Sequence, residues 1–584
     1  MQTSFRIKII SVGFIIAALL ILARLFYWQV LAADRLMILA QAQRESVIKV
    51  APLRGEILAS DGLPLVGNQE AYLAYLLTSD LTISLDKAAE KMASILAPTL
   101  DEIIVATDTP RGKQKQELIK NTEENLIKKL KTPGVLWVAL KHKINPQQKQ
   151  TLEEIDLKGL NFESEQRRIY PEASMAAHLL GFVGSDSTGE DIGYFGVEGF
   201  YDLTLKGRYG ILRQEKDAIN KPILIGDFFD QEKRDGQVLQ LHLDRAIQFM
   251  VEKHLRDALG RYGAKSGSVI MMDPKTGAIL AMASEPSYEP RYYFKYANEQ
   301  YKNPLINELY EPGSTFKVIT MAAALQEEKI TPETQCDICG EAYKIDKYTI
   351  RTWDDKYHPQ ATMTEVLQYS DNVGMVFVGQ KLGIENFTNY IRKFGFGKKT
   401  NIDLQEEVSG NLREQWSEVD LATAAFGQGI AVTGIQMLTA VGAIANDGRM
   451  MAPQVVDKII DLDKEVEIKP RMINQVIDKE VADTLTAMMV EAVDRGEARW
   501  AKPKGYKIAG KTGTSQIPIS GHYDEEKTIA SFIGFAPADN PQFVMLTKLR
   551  EPSSSPWGSE TAAPLFFDIA KDVLLYWGIP PSVN

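Results

Sequence analysis

Cysteine is nearly missing from these 584 residues: there are two, Cys336 and Cys339. No disulfide framework can therefore hold the fold together. Histidine is scarce too, and the six present form no metal motif. Basic charge is outweighed, 66 Lys and Arg against 77 Asp and Glu, leaving a net −11. Such a surface repels phosphates, which argues against a nucleic-acid partner. Neither a P-loop nor a Gly-rich dinucleotide fingerprint is evident, and no cofactor is expected. What remains is 45% hydrophobic and 24% charged, an ordinary balance for a folded chain long enough for two or three domains.

The chain divides by texture. Arg6 and Lys8 precede an apolar run from Ile9 that Arg24 alone interrupts before Leu25-Phe26-Tyr27-Trp28-Gln29-Val30. A helix over 9–30 has the roughly 20 residues a bilayer requires. The basic flank predicts a cytoplasmic tail over 1–8, with everything after the span outside. Arg24 either snorkels to the interface or faces a partner helix. A cleaved signal peptide is the competing reading, but the aromatic continuation suits an interfacial anchor and Ala32-Ala33 is a poor cleavage site. Residues 31–235 read as one extended α+β module with helix-prone stretches at 82–97 and 112–130, and its charged motifs read as internal salt bridges. From 236 the texture changes. A half-buried strand at 238–243 leads to a helix capped by Asp244 and stopped by Gly260, then to a hairpin of 268–273 with 278–284. Thr433 to Gln436 is a capping box opening an apolar helix that ends near Gly448. Strand candidates 506–517, 528–535 and 542–549 close the chain, giving 236–584 the pattern of an antiparallel sheet with helices packed on it.

The chemistry gathers around Glu311-Pro312-Gly313-Ser314-Thr315-Phe316-Lys317. On a helix Ser314 and Lys317 share a face. A serine hydroxyl needs a base within hydrogen-bond reach, and a lysine serves once burial and neighbours lower its pKa. Alone, Ser-x-x-Lys is a weak signal. Ser370-Asp371-Asn372 and Lys511-Thr512-Gly513-Thr514 follow in the order found in penicillin-interacting serine enzymes.

With these three motifs, the Arg-Gly-x-Ile…Asp-Gly stretch at 54–62, Gly-x-x-Gly-Val-Glu at 193–198, Phe426-Gly427-Gln428-Gly429 and Ser531 to Pro537, the chain resembles a class B penicillin-binding protein nearly end to end. That family is the monofunctional peptidoglycan D,D-transpeptidase, and no glycosyltransferase segment of the bifunctional class precedes the transpeptidase region here. The resemblance implies a multidomain chain: membrane helix, dimerisation-like pedestal over 31–235 and a penicillin-binding transpeptidase domain over 236–584. It implies that Ser314 attacks the penultimate D-alanine carbonyl of a stem peptide while Lys317 takes its proton. The terminal D-alanine leaves, and an amine from a neighbouring stem forms the cross-link. Backbone N–H groups of Ser314 and Thr514 would form the oxyanion hole. Ser370 would relay protons, Asn372 would orient the substrate backbone, and Lys511 would hold Ser370 and supply positive potential. Thr512 and Thr514 would bind the terminal carboxylate, and Gly513 would let substrate lie close. Pleat alternation places Lys511 and Thr512 on opposite faces, so both reach one site only through special edge geometry. The implied partners are stem peptides, β-lactams, the bacterial cytoplasmic membrane and, through the helix and pedestal, a SEDS-type glycan polymerase with other division or elongation proteins.

Three alternatives accompany this reading. A β-lactamase or carboxypeptidase would need a deacylating base, for which Glu407 with Asn411 is the candidate. A scaffold or β-lactam sensor would carry the motifs without using them. Assignment to elongation competes with assignment to the septum, toward which the Ser531 to Phe535 stretch and the length lean. Cys336 and Cys339 are two inert thiols, a disulfide, or half a zinc site completed by Asp354, Asp355 or His358. Asp371 reads as a cap or turn residue as readily as a catalytic one.

Overall fold

The structure is a computed structural model and describes residues 2–99, 102, 111–187, 189–215, 228–462, 464–519 and 522–581. Residues 100, 101, 103–110, 188 and 216–227 of the expected 31–235 module lie outside the described residues.

The apolar N-terminal run forms a helix, Gln2–Phe26, that continues through a π-helical turn at Tyr27–Leu31. Ser4–Leu31 is long and apolar enough to cross a membrane, and none of it is buried by protein. Arg24 sits over the Trp28 ring, 5.3 Å from its centroid. That is a cation–π contact one helical turn along, directing the charge toward the C-terminal end of the span.

The chain forms two compact units. The first joins 1–54 to 206–236; in it Glu45–Val50, Gly210–Glu215 and Phe228–Gln231 make a three-stranded antiparallel sheet. The second joins 55–205 to 237–584. This division cuts across the expected 31–235 module. The physical reason is one strand pairing: Val238–Leu241 lies parallel to Ile57–Leu58 and antiparallel to Val456–Asp461, inside a single seven-stranded sheet. Backbone pairing between distant segments is invisible to a reading that scans texture along the chain.

Within the second unit, Pro64–Leu77 pairs with Trp137–Ile144 on one side and Leu160–Ile169 on the other. The helix-prone stretches are helices, Leu85–Leu96 and Arg111–Leu130, the first burying Ala88, Ala89, Met92, Ala93 and Leu96. The reading of charged motifs as internal salt bridges holds at Arg168. Its Nε donates to Glu198 at 2.7 Å and its Nη1 to Asn68 at 2.9 Å, with Glu198 fully buried.

The site rests on a five-stranded antiparallel sheet, ordered Ile279–Glu285, Ser266–Met272, Phe543–Arg550, His522–Ala536, Ala509–Ile519. Its strands are apolar on both faces because helices cover both. Val269, Met271, Ala281 and Met545 join the core built with helices Arg245–Tyr262 and Ala562–Tyr576. Their neighbours Ile270, Met272, Met282 and Leu546 join the core built with Lys317–Gln326 and Gly434–Ala445. One step along a strand switches core, the period-two signature of a sheet. Asp244 caps its helix through Ala246 N and Ile247 N, but the helix passes Gly260 and ends at Gly263, φ +60°. A lone glycine inside a helix costs only about 1 kcal/mol, whereas a left-handed residue ends it. The Thr433 capping box is present and its helix ends at Ala445.

Candidate active site

Ser314 lies in a 3-10 turn, Gly313–Phe316, that runs into the helix Lys317–Gln326. The expected single helix is thus tighter at its start. Residues three apart eclipse in a 3-10 turn, so Ser314 and Lys317 keep a common side. A second loop buttresses the turn. Gly313 has φ +54° and its N–H donates to Gly427 O at 3.1 Å. Gly427 has φ +86°, and a Cβ there would lie 2.1 Å from Gly313 O. Glu311 Oε1 accepts from Gly429 N at 3.0 Å, and Phe316 packs on Phe396. Residues 426–429 are therefore a fitted support for the nucleophile.

Lys317 is completely buried. Its Nζ donates to Ser370 O at 2.5 Å, Ser370 Oγ at 3.2 Å and Asn372 Oδ1 at 2.8 Å. Among the described residues it makes no hydrogen bond to Ser314 Oγ. Burial, then the nearby Lys511 charge, pushes the Lys317 ammonium well below the usual lysine range, with Asp371 and Glu497 opposing. Ser370 holds φ +56°, a costly conformation for a non-glycine residue and a frequent mark of functional sites. It brings both the carbonyl and the hydroxyl of Ser370 to one ammonium. Of the two roles open to Asp371, its Oδ1 fills that of a helix cap, accepting from Gly374 N at 3.0 Å. Asn372 opens the next helix and spends its amide inside the protein, accepting from Lys317 and donating to Arg351 O at 3.0 Å.

Ala509–Ile519 is an edge strand of the five-stranded sheet. The edge resolves the alternation problem: Lys511 is buried, yet its Nζ reaches Thr512 Oγ1 at 3.1 Å. Among the described residues Lys511 makes no hydrogen bond to Ser370; Lys317 holds that hydroxyl instead. Burial lowers the Lys511 ammonium as well, and Glu497 opposes. Thr514 Oγ1 accepts from Gly558 N at 3.0 Å. Gly513 answers to packing: a Cβ there would meet Ser531 Oγ at 2.6 Å and Thr315 Cγ2 at 2.7 Å, so its bareness lets the strand lie against the nucleophile turn.

Ser314, Ser370, Asn372, Thr512 and Thr514 line one cleft of about 270 Å³. Glu497, Trp353, Trp557, Phe426 and Gln428 complete much of its wall. Trp353 and Trp557 meet edge to face, centroids 5.1 Å apart. Except for Phe426 and Gln428, sequence reasoning missed these wall residues, because single residues in connecting loops carry no period or spacing. The arrangement supplies a half-buried serine, a buried lysine of lowered proton affinity, a hydroxyl between lysine and cleft, and an edge strand open to an extended ligand.

The other candidates lie elsewhere in chemistry. Cys336 and Cys339 form a disulfide, so neither offers a thiolate and the zinc reading is corrected. His358 stacks on Tyr369, and Asp354 pairs with Lys356 at 3.1 Å. Among the described residues no group of three or more His, Cys, Asp or Glu converges for a metal. Glu407 is buried against Thr400 N and Oγ1, both at 2.6 Å, and Asn401 N at 2.9 Å, a structural anchor outside the cleft.

Comparison with known proteins agrees with this geometry. Residues 267–571 match the penicillin-binding protein transpeptidase domain, and 49–241 match the penicillin-binding protein dimerisation domain. Stage V sporulation protein D of Bacillus subtilis is 33% identical over 98% of this chain and 85% of its own length. Peptidoglycan D,D-transpeptidase FtsI of Escherichia coli is 28% identical over 99% and 93%. In fold, penicillin-binding protein 2X of Streptococcus thermophilus superposes with a TM-score of 0.72 at 24% identity, covering 91% of this chain and 81% of that one. The chain belongs to the penicillin-binding protein transpeptidase family, class B. Its activity is that of a serine-type peptidoglycan D,D-transpeptidase.

Proposed function

We propose that Ser314 carries the acyl group, with Lys317 as its base, and that the enzyme serves septal wall synthesis from the outer face of the cytoplasmic membrane. The observation that carries the assignment is the buried Lys317 ammonium, bound to Ser370 and Asn372 beneath the cleft that Ser314 lines. Neutral Lys317 accepts the Ser314 proton as the serine attacks the penultimate D-alanine carbonyl. Ser370, bonded to Lys317, hands a proton to the leaving amine. Thr512 and Thr514 receive the terminal carboxylate with Lys511 beside them, and backbone N–H groups of Ser314 and Thr514 stabilise the oxyanion. Asn372 orients Lys317 through its Oδ1, and the second hydrogen of its amide, at the cleft, orients substrate.

Arg6 and Lys8, in the first turns of the Ser4–Leu31 helix, support a cytoplasmic N-terminus, and the Cys336–Cys339 disulfide suits an oxidising exterior. Relatives named FtsI support the septal branch. The N-terminal helix is proposed to contact a SEDS-type polymerase and division proteins within the membrane. The test is release of D-alanine and formation of a cross-linked dimer from stem peptides ending in D-Ala-D-Ala. Both products should vanish in Ser314→Ala. Dimer formation that persists in that variant would remove Ser314 from the reaction. Depletion in the cell should give filaments that fail to divide, and rounded cells would instead assign the enzyme to elongation.

A further inference from the structure

A transpeptidase must do with its second substrate the reverse of what it does with its first. The leaving amine departs from beside Ser370, so by microscopic reversibility the acceptor amine attacks the acyl-enzyme from the same side. The donor brings an anion there, its terminal carboxylate. The acceptor arrives at neutral pH as an ammonium. Hydroxyls and lysines suit the first ligand and offer the second no counter-charge.

One group in the cleft wall has the opposite sign. Glu497 follows the helix Lys479–Asp494 and lines the cleft together with Ser314, Ser370 and Thr512. The backbone before it is pressed against the segment leading into Ser370: a Cβ on Gly496 would lie 3.1 Å from Gln368 O. Glu497 Oε1 is buried and has no hydrogen-bond partner among the described residues. Nor does Glu497 form an ion pair among them, although its charge bears on both Lys317 and Lys511. The other carboxylate near Lys317 is Asp371, whose Oδ1 caps its own helix; its Oδ2 is also buried without a partner among the described residues, but Asp371 does not line the cleft as Glu497 does. A buried acceptor atom without a donor is uncommon in a folded protein and calls for an explanation. Here it borders the place where an N–H-bearing ligand must arrive.

We propose that Glu497 is the acceptor-binding residue of this enzyme, receiving the attacking amine of the second stem peptide as its ammonium ion. This rests on the transpeptidase reading above. The ammonium gives one proton to Glu497, which passes it to solvent. The free amine then attacks the Ser314 ester carbonyl; a C–N bond forms and the C–O bond to Ser314 breaks. The second proton lost by the nitrogen returns to Ser314 Oγ through Ser370 and Lys317.

The test is partitioning of the acyl-enzyme in full-length protein, wild type against Glu497→Gln. An N-acyl-D-alanyl thioester serves as donor. Acceptors are an alkylamine-bearing stem peptide, cationic at neutral pH, and hydroxylamine, uncharged at the same pH. Loss of a charge-assisted hydrogen bond should lower the ratio of transfer to hydrolysis about 10-fold or more for the cationic acceptor, through its KM. Transfer to hydroxylamine should change far less, a fluorescent penicillin should still label Ser314, and Glu497→Asp should recover part of the loss. Equal loss with both acceptors, an unchanged ratio, or failure of the Gln variant to acylate would each overturn the proposal. Failure of the wild type to acylate would instead strike at the transpeptidase reading itself.

Discussion

Replacing Gly427 by alanine should disable acylation without touching a single catalytic side chain. The new Cβ would stand 2.1 Å from Gly313 O, well inside van der Waals contact, and that oxygen is backbone. It cannot rotate aside as a side chain would. The left-handed φ of +86° adds about 1–2 kcal/mol for any residue with a Cβ, and forced overpacking about 1–3 more. The sum is roughly 2–5 kcal/mol of stability. Relief must come from displacement of the Gly313–Phe316 turn. A shift near 1 Å at a reacting atom costs on the order of 10²-fold in rate. Gly429 is the matched control: φ is +72°, but the nearest atom to its Cβ is Arg413 Nη2 at 3.4 Å, the end of a flexible side chain. Gly429→Ala should cost about 1–2 kcal/mol. Its labelling rate should stay within a few-fold of wild type. The assay is the rate of covalent labelling by a fluorescent penicillin, with denaturant unfolding beside it. Gly427→Ala labelling as fast as Gly429→Ala would refute the buttress.

Three further outcomes follow. Acylation should rise with pH to a midpoint below the ordinary lysine value, because Lys317 must be neutral to act and burial with Lys511 lowers its proton affinity. Lys511→Met should slow the reaction and move that rise to higher pH; a shift downward would contradict the charge coupling. Glu198→Ala should cost about 3–5 kcal/mol in unfolding, since it leaves Arg168, with a side chain only 6% exposed, buried without its anion. His178 is held down to about 4 by burial. Its contribution is complete above the unfolded value near 6.5 and is lost as pH falls toward 4, up to about 3 kcal/mol. His178→Gln should flatten the stability profile over that window, and an unaltered slope would dismiss the effect.

How far the chain could be read before folding differs by feature. The three motifs led to Ser314, Lys317, Ser370, Asn372 and Lys511 because each combines reactive residue types at fixed spacing. The strands and capped helices of the catalytic region were legible for the same reason: alternation, capping boxes and turn residues act over a few positions. The pairing of Val238–Leu241 with Ile57–Leu58, which carries one sheet across position 236, was not legible, since it is a long-range choice. Hydrogen-bond partners were the least legible. Lys317, not Lys511, holds Ser370, and Gly513 is required by packing against Ser531 and Thr315. Both depend on fractions of an ångström where an edge strand meets a turn. Glu497 left no trace in the sequence beyond one acid in a connecting loop.

Ser314, with buried Lys317 at its back, forms the acyl-enzyme in this mechanism. The most direct measurement is intact mass and peptide mapping after benzylpenicillin treatment of wild type, Ser314→Ala and Lys317→Met. One stable adduct on the peptide containing Ser314, absent from the Ala variant and strongly slowed in the Met variant, is the predicted result. An adduct elsewhere, or one that forms as fast without Lys317, would contradict the account.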